Sequence, residues 1–340
     1  MPKELFFAIV GTGSIAGHFI KSIREIEGCH ISALCSSSKE RAIQAETKFE
    51  ITSYADLHLL LSQEKVDIVC ICTSSGSHLE PALVAARAGK HVLCEKPLEI
   101  TAARVDEMIA ACQENGVHLG CIFQNRFSPD FIRLQQAVRS GLLGKLVALN
   151  AVIPWYRDDD YYGKSIWRGT LDGDGGGALI NQGIHTVDLF QLIGGPAREI
   201  IGKIQTTTHD IEGEDLAMAL VTFSNDVLGH IQASTSMWPG YPERLEVYGE
   251  KGSIILEGGA IRHFNVQGID PDQSAPAASA SGSSDPMAIS HELHKKQIMD
   301  FATAVYTGGR PAVDGAEGRK AVAIIEAIYR SSRMNAPVIL

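Results

Sequence analysis

The sequence lacks a framework of paired cysteines. Its seven cysteines all lie at or before Cys121, their number is odd, and no CxxC occurs. Most interrupt apolar runs such as residues 66–72, which is typical of small buried thiols in a reducing compartment. We therefore expect neither disulfides nor a zinc site. The chain also lacks a GxSxG motif and a P-loop.

The chain has no dense cluster of basic residues and no long apolar run. Forty acidic residues against thirty basic ones give a formal charge of −10, so nucleic acid is not an expected partner. The apolar run Leu5–Val10 is too short to cross a membrane, and residues 1–4 do not resemble the start of a signal peptide. We expect a cytoplasmic protein with no membrane partner.

The length and the amino-acid composition are typical of a folded chain with two domains. Of the 340 residues 45% are hydrophobic and 21% charged, and a chain of this length forms about two domains. Up to residue 125 apolar strands alternate with helical patterns, which predicts a doubly wound α/β domain with a parallel sheet. In this part we predict one helix over Tyr54–Ser62.

Residues 126–340 follow a different pattern. After Gly144 strand-like runs follow one another with short turns between them, which predicts an α+β domain with a mostly antiparallel sheet. One helix is predicted at Ile180–Ile193. Two more are predicted at His291–Tyr306 and Gly315–Ser332, and the last would pack back on one of the domains. The Ala/Ser/Pro-rich stretch Asp270–Pro286 predicts a mobile loop.

A glycine motif directly follows the first predicted strand and opens the first helix. Its residues are Gly11, Thr12, Gly13, Ser14, Ile15 and Ala16. Gly11 permits a tight turn, Gly13 lets the backbone approach a pyrophosphate, and the helix N-terminus faces anionic phosphates. The alternative is a glycine-rich turn without a ligand. In its strand–turn–helix context the motif predicts a dinucleotide site.

The end of the second strand carries no acidic residue to bind the ribose 2′-hydroxyl of NAD. Ser36, Ser37 and Ser38 follow it, with Lys39 and Arg41 close behind. Hydroxyls and cations suit a 2′-phosphate, which favours NADP over NAD. These residues could equally form a helix cap and a solvated helix face.

Two further groups of residues carry candidate chemistry. Lys96 follows a predicted strand, where it could hydrogen-bond a substrate oxygen, or Glu95 could be its partner. After the glycines at 175–177, Asn181, His185 and Asp188 have the spacing of one helical face, and His185 could act as a general base. A buried structural histidine is the alternative.

Aromatic residues make up only 6% of the chain, yet they are concentrated at 155–170. Tyr156, Trp167 and Arg168 offer flat apolar faces and hydrogen-bonding groups, which suits a polyhydroxylated ring. An irregular surface loop is an equal alternative. His291 and His294 lack a metal-binding spacing, so we expect them on a solvated helix face and predict no metal site.

These motifs resemble the Gfo/Idh/MocA oxidoreductase family. The resemblance rests on the glycine motif, on AGKHVLCEKPL (88–98) and GGGALINQGIHTVDL (175–189), and on similar stretches at 245–254 and 314–332. It implies a Rossmann domain, a second domain built on a large sheet, and a homodimer or homotetramer formed through that sheet. It also implies hydride transfer between NAD or NADP and a sugar or cyclitol.

The resemblance assigns roles to individual residues. It implies that Lys96 and His185 are catalytic and that Arg126 borders nicotinamide and substrate. Asn181 is also implied to contact the substrate, and at its position, four residues before the histidine, many family members carry Asp. Asn can orient a hydroxyl but cannot relay a proton. The predicted cofactor-binding residues include the glycine motif together with Ser36, Ser37 and Arg41. The resemblance adds six more: Thr73, Ser74, His78, Glu95, Lys96 and Gln124.

Several functions stay open at this point. Similarity around residues 167–170 and 181–188 to UDP-N-acetylglucosaminuronate 3-dehydrogenases suggests oxidation of a nucleotide-linked sugar, whereas residues 36–41 resemble NADP-using sugar-ketone reductases. A sensor that binds nicotinamide without chemistry is another alternative, but it would be free to lose Lys96 or His185. An enzyme for a small non-sugar carbonyl would have little need for the aromatic segment.

Overall fold

A computed structural model describes residues 4–269 and 291–340. Within them the chain divides into two compact units. The first contains residues 4–124 and 291–319, and the second contains residues 125–269 and 320–340. Residues 291–319 thus group with the first unit, whereas the predicted second domain spans residues 126–340, with a final helix that packs back on one of the domains. The predicted mobile loop Asp270–Pro286 lies outside the described residues.

The first unit is built on a six-stranded parallel sheet of order β3-β2-β1-β4-β5-β6. The strands are β1 (Leu5–Val10), β2 (Cys29–Cys35), β3 (Ser53–Tyr54), β4 (Ile68–Ile71), β5 (His91–Cys94) and β6 (Leu119–Cys121). All four residues of β4 are buried, as expected of a strand with both faces covered. This arrangement confirms the predicted doubly wound α/β domain.

The first five helices of this unit each follow one of its strands, and a further helix joins the unit from later in the chain. They are α1 (Ser14–Arg24), α2 (Lys39–Phe49), α3 (Leu57–Gln63), α4 (Leu79–Arg87), α5 (Ala102–Glu114) and α9 (Glu292–Thr307). The predicted helix Tyr54–Ser62 is wrong at its start, because Tyr54 pairs with Cys35 in β3. The helix begins only after Asp56, whose side chain accepts a hydrogen bond from the Leu59 N–H and caps it.

The second unit is built on an eight-stranded sheet of order β13-β12-β11-β7-β10-β9-β8-β14. The strands are β7 (Leu146–Pro154), β8 (Ala197–Gln205), β9 (Leu216–Phe223), β10 (Leu228–Ser234), β11 (Arg244–Gly249), β12 (Gly252–Glu257), β13 (Ala260–Val266) and β14 (Val338–Ile339). Only the β7–β10 pair among these is parallel. The predicted mostly antiparallel sheet is therefore confirmed.

The helices of this unit include elements that the sequence interpretation missed. The missed helices are α6 (Pro129–Arg139) and α7 (Asp159–Gly163). The others are α8 (Ile184–Gly194) and α10 (Gly315–Met334), and α10 contributes residues to both units. The predicted helix Ile180–Ile193 is wrong in its first part, because Ala178–Gly183 is π-helical and α8 begins at Ile184. A single π-helical turn is often found at functional sites.

The state of the cysteines and the length of the helices bear on the expectations from composition. All seven cysteines lie in the described residues, all are free thiols, and six are buried. None of the helices in residues 4–269 and 291–340 is long and apolar enough to span a membrane.

Candidate functional site

The glycine turn of the first unit leaves room for a ligand. Gly11 has a φ of +94°, and a Cβ there would lie 2.5 Å from the carbonyl oxygen of Cys72, so only glycine fits. A Cβ on Gly13 would meet no atom of the described chain within 4 Å beyond its own neighbours. Gly13 precedes α1 without capping it through a side chain. A helix N-terminus of this kind can bind phosphate.

The other residues of the motif surround this N-terminus. Ser14 is exposed, Thr12 and Ile15 are half-buried, and the first turn of α1 contains no acidic residue. The Thr12 and Ser36 hydroxyls lie 2.9 Å apart, which connects the turn to the end of β2. The glycine turn and the first turn of α1 therefore carry no acidic residue that would repel a pyrophosphate.

The three serines that follow β2 have different surroundings. Ser36 is buried, and Ser38 caps α2 by accepting a hydrogen bond from the Arg41 N–H. Ser37 and Arg41 are exposed, and Arg41 Nη1 donates to the Ser37 hydroxyl at 3.2 Å. The structure thus brings a hydroxyl and a guanidinium together beside the turn.

His78 holds two loops together. It is only 1% exposed, with Nδ1 2.9 Å from the Pro97 carbonyl oxygen and Nε2 3.3 Å from that of Thr73. Burial lowers the pKa of His78 below its ordinary value. Because both ring nitrogens face carbonyls of the protein, His78 supports the two loops, and its expected contact with a cofactor stays a prediction. Ser74 faces Ser77, with their hydroxyls 3.0 Å apart.

Glu95 and Lys96 follow β5 at the same edge of the sheet. Glu95 is buried and its Oε2 accepts a hydrogen bond from the Lys96 N–H at 3.0 Å, whereas Lys96 is half-buried. The expectation that His294 lies on a solvated face is wrong. It is 3% exposed, and its Nε2 lies 3.5 Å from Glu95 Oε1. Gln124, also buried, follows β6 on this edge.

The π-helical turn of the second unit holds a network of polar side chains. Asn181 Nδ2 donates to both carboxylate oxygens of Asp174 at 2.7 Å. Gln182 Nε2 donates to the Tyr161 hydroxyl at 2.6 Å, and Gln182 Oε1 accepts from buried Arg157 at 2.9 Å. These contacts fix the orientation of the Asn181 amide.

His185 lies in the first turn of α8 and is half-buried, with its Nδ1 atom buried. The predicted common face of Asn181, His185 and Asp188 is limited to the last two, because α-helical spacing does not extend over the π-helical turn. Asp188 accepts two hydrogen bonds from Arg126, at 2.7 and 2.6 Å. Both side chains are buried, so this pair holds Arg126 against α8, and its expected contact with substrate stays a prediction.

A buried carboxylate that sequence reasoning missed holds the start of this turn. Glu214 accepts hydrogen bonds from the N–H groups of Gly177 and Leu179 and from the Tyr329 hydroxyl, at 3.0, 2.7 and 3.0 Å. Burial raises the pKa of Glu214 to about 7. Since Glu214 and Tyr329 are 115 residues apart, no local sequence pattern joins them.

The aromatic segment is organised around Tyr161. The guanidinium of Arg168 lies 4.3 Å from the centre of the Tyr161 ring and 5.8 Å from that of Trp167. Burial raises the pKa of Tyr161, so its hydroxyl remains protonated near neutral pH. Tyr156 pairs with Ser236 through a backbone bridge and is half-buried. Arg168 thus packs near both rings, and ring binding by this segment stays a prediction.

One surface group in the described residues has the composition of a metal site. Ligand atoms of Glu25, His291 and Glu292 lie within 4.8 Å of one another. Lys295 Nζ also lies 2.9 Å from Glu25 Oε2, so an ammonium group already supplies positive charge there. This cluster carries no assignment.

Comparison with known proteins identifies both units. Residues 5–123 match the model of an oxidoreductase family with an NAD-binding Rossmann fold, and residues 131–255 match the GFO/IDH/MocA C-terminal domain.

Individual relatives match over nearly the whole chain. D-apiose dehydrogenase of Paraburkholderia graminis is 27% identical over 97% of this chain and 88% of its own. Myo-inositol 2-dehydrogenase of Thermotoga maritima is 28% identical over 95% of both chains. The WlbA dehydrogenase of Bordetella pertussis, solved with NADH and UDP-GlcNAcA, has a TM-score of 0.90 and 27% identity over 99% of both chains.

Proposed function

The chain belongs to the Gfo/Idh/MocA family of NAD(P)-binding oxidoreductases, and we propose that it transfers a hydride between NAD(P) and a ring carbon of a sugar, sugar derivative or cyclitol. The observation that carries the proposal is the pairing, on one parallel sheet, of an open glycine turn with Lys96. Both follow the carboxyl ends of strands, where ligands bind in such sheets.

The residues around the turn fit a dinucleotide. The φ of Gly11 and the space beside Gly13 allow the backbone to approach a pyrophosphate, and the uncapped N–H groups of α1 can bind it. When bound, the nicotinamide ring supplies or accepts the hydride. Lys96 Nζ donates a hydrogen bond to the substrate oxygen and stabilises the negative charge that develops on it.

His185 exchanges the proton in this proposal. In oxidation its Nε2 takes the hydroxyl proton while the hydride leaves the ring carbon, and in reduction both steps reverse. Nε2 is assigned because Nδ1 is buried. Asn181, held by Asp174, orients a second hydroxyl, and Tyr156, Trp167 and Arg168 contact the ring.

The test follows the absorbance of reduced nicotinamide with sugars, inositols and UDP-sugars, in both directions and with both cofactors. Lys96→Ala and His185→Ala each lower kcat by about 100-fold or more while cofactor affinity changes little. The exposed residues Lys21 and His58 provide matched controls, and their alanine variants keep the activity. Near-native turnover in both site variants would refute the assigned roles.

For the cofactor we propose NADP, because Ser37 and Arg41 offer a hydroxyl and a guanidinium where an acidic residue would bind the ribose of NAD. Arg41→Ala is expected to weaken NADP binding by about tenfold and to leave NAD binding unchanged. Arg87→Ala, also on an exposed helix position, is the control. Equal losses for both cofactors would contradict the preference.

A nucleotide-linked sugar is the second candidate substrate. It is favoured by the similarity to the WlbA dehydrogenase solved with NADH and UDP-GlcNAcA. Turnover of UDP-sugars but not of free sugars or inositols would select it. Cofactor binding without any turnover would favour the sensor interpretation.

We also propose a homo-oligomer that uses the sheet of the second unit. Met218, Leu220 and Leu228 are 45%, 59% and 61% exposed on neighbouring strands β9 and β10. Contiguous exposed apolar side chains mark interaction surfaces. Leu220→Glu should shift the mass measured by light scattering to that of a monomer, and an unchanged mass would contradict this surface.

A further inference from the structure

Helix α9 brings an ionisable side chain into the core beside the Lys96 loop. His294 packs edge-on against the rings of His18 and Phe19 of α1, with ring centres 5.8 and 6.1 Å away. On its other side His294 Nε2 approaches Glu95 Oε1 at 3.5 Å. The Glu95 side chain is only 8% exposed and that of His294 only 4%. A contact this well buried is shielded very little by solvent.

The charge of Glu95 requires nearby partners. Burial alone would raise the pKa of Glu95, but the attraction of His294 and of Lys96 outweighs it and holds that pKa below its ordinary value. Neighbouring Cys72 and Cys94 add no competing negative charge, because burial raises their thiol pKa values and keeps them protonated. An ionised carboxylate in a protein core is costly unless it is paired. His294 is the partner that comes from outside the loop.

Glu95 acts directly on Lys96. Its Oε2 accepts the Lys96 backbone N–H at 3.0 Å, and its negative charge favours the protonated form of the Lys96 amine. Only the protonated amine has the charge that stabilises a developing alkoxide. Loss of the Glu95 charge would therefore make the Lys96 amine easier to deprotonate, while the Lys96 side chain itself stays in the protein.

We propose that His294 is a positioning residue for Lys96: it keeps Glu95 ionised, and the Glu95 carboxylate keeps the Lys96 amine protonated and its backbone in place. The role of Lys96 itself rests on the proposed function. His294 contacts neither substrate nor cofactor in this scheme, and it acts through Glu95.

The experiment measures the protonation of Lys96 without any substrate. Intact protein is labelled with acetic anhydride at a fixed mildly alkaline pH, and the rate at Lys96 is read by mass spectrometry relative to exposed Lys39. Only unprotonated amines react. His294→Gln and Glu95→Gln should each accelerate labelling of Lys96 by at least about threefold, and the double variant should be no faster than Glu95→Gln alone.

Gln297→Leu is the matched control for packing of α9. Gln297 is buried one turn after His294 and donates to the Cys121 carbonyl oxygen at 2.6 Å. Its variant should lower the unfolding midpoint yet leave the Lys96 rate at the wild-type value. A merely structural role for His294 would give the same pattern as Gln297→Leu.

Two results would overturn the proposal. One is a wild-type labelling rate in His294→Gln, and the other is an additive acceleration in the double variant. Both are independent of turnover, so an absence of hydride transfer in the wild-type protein would reject the proposed function without deciding this test.

Discussion

The two glycine-rich stretches of the chain use the absent side chain in opposite ways. A Cβ on Gly13, before α1, would meet no atom of the described chain within 4 Å beyond its own neighbours. A Cβ on Gly177, before the π-helical turn, would lie 2.1 Å from the Glu214 carbonyl oxygen, and one on Gly176 would lie 2.4 Å from the Tyr329 hydroxyl. The first stretch leaves space that a ligand can use, whereas the protein itself fills the second.

This difference shows how each unit prepares its functional residues. In the first unit Gly13 makes no side-chain hydrogen bond to the backbone N–H groups at the start of α1, and such N–H groups can bind an anion. In the second unit the carboxylate of Glu214 already binds the N–H groups of Gly177 and Leu179. The second glycine run thus serves as internal support for the turn that carries Asn181. Substitutions of these glycines can distinguish a stretch that leaves space for a ligand from one that packs against the protein itself.

The largest effect is expected for Gly177→Ala. The new methyl group would overlap backbone of Glu214, which cannot move aside as a side chain would. We expect the free energy of unfolding, measured with a chemical denaturant, to fall by about 3 kcal/mol or more. Gly13→Ala should change it by less than about 1 kcal/mol. Equal losses would remove the distinction between the two stretches.

The sequence predicts the first stretch better than the second because its signal is local. The glycine motif, the apolar strand and the helix are contiguous, so neighbouring residues carry the whole signal. Glu214 and Tyr329 reach the second stretch from distant segments. Their carboxyl and hydroxyl groups have no recognisable pattern in the sequence.

Other failures have the same physical origin. His294 occupies a helix whose sequence suggested solvent, but that helix packs on α1. The π-helical turn depends on the capping by Glu214, and helical periodicity alone cannot separate it from an α-helix. The pairing of Arg126 with Asp188 joins residues 62 positions apart, so no local pattern predicts it.

Glu214→Gln should change how stability depends on pH. Because burial raises the pKa of Glu214 to about 7 from its ordinary value of 4.5, the folded state holds a proton that the unfolded chain releases between those values. Its stability therefore falls as pH rises through this window, by on the order of 3 kcal/mol in total. The glutamine variant lacks this term.

The measurement is the difference in unfolding free energy between wild type and Glu214→Gln from pH 4 to pH 8. Other titrations cancel in this difference, which should turn against the wild type as pH rises. A difference independent of pH would show that Glu214 has the same ionisation in both states. Asp226→Asn, on an exposed turn of the same unit, is the control.

Gly13→Ala tests the open stretch. Its methyl group enters the space beside the helix N-terminus, so NADP affinity measured by fluorescence titration should fall by about tenfold, or 1.4 kcal/mol. Gly17→Ala provides a matched control one turn later, since its Cβ also meets no described atom within 4 Å beyond its chain neighbours and the backbone of its own helix. If both variants bind NADP like the wild type, the space beside Gly13 is not used by the cofactor.

The smallest effect is expected for Tyr329→Phe, which removes one support of Glu214 and keeps the ring. The lost hydrogen bond, 3.0 Å in length, costs about 1 kcal/mol. Because that bond lowers the pKa of Glu214, its loss raises the pKa further, and the charged carboxylate becomes still less favourable. The destabilisation, measured by chemical unfolding, should therefore be larger at pH 8 than at pH 5. Tyr306→Phe, at an exposed position, should change neither value, and an equal loss at both pH values would mean that the Tyr329 hydroxyl supports the glycine run without acting on the Glu214 charge.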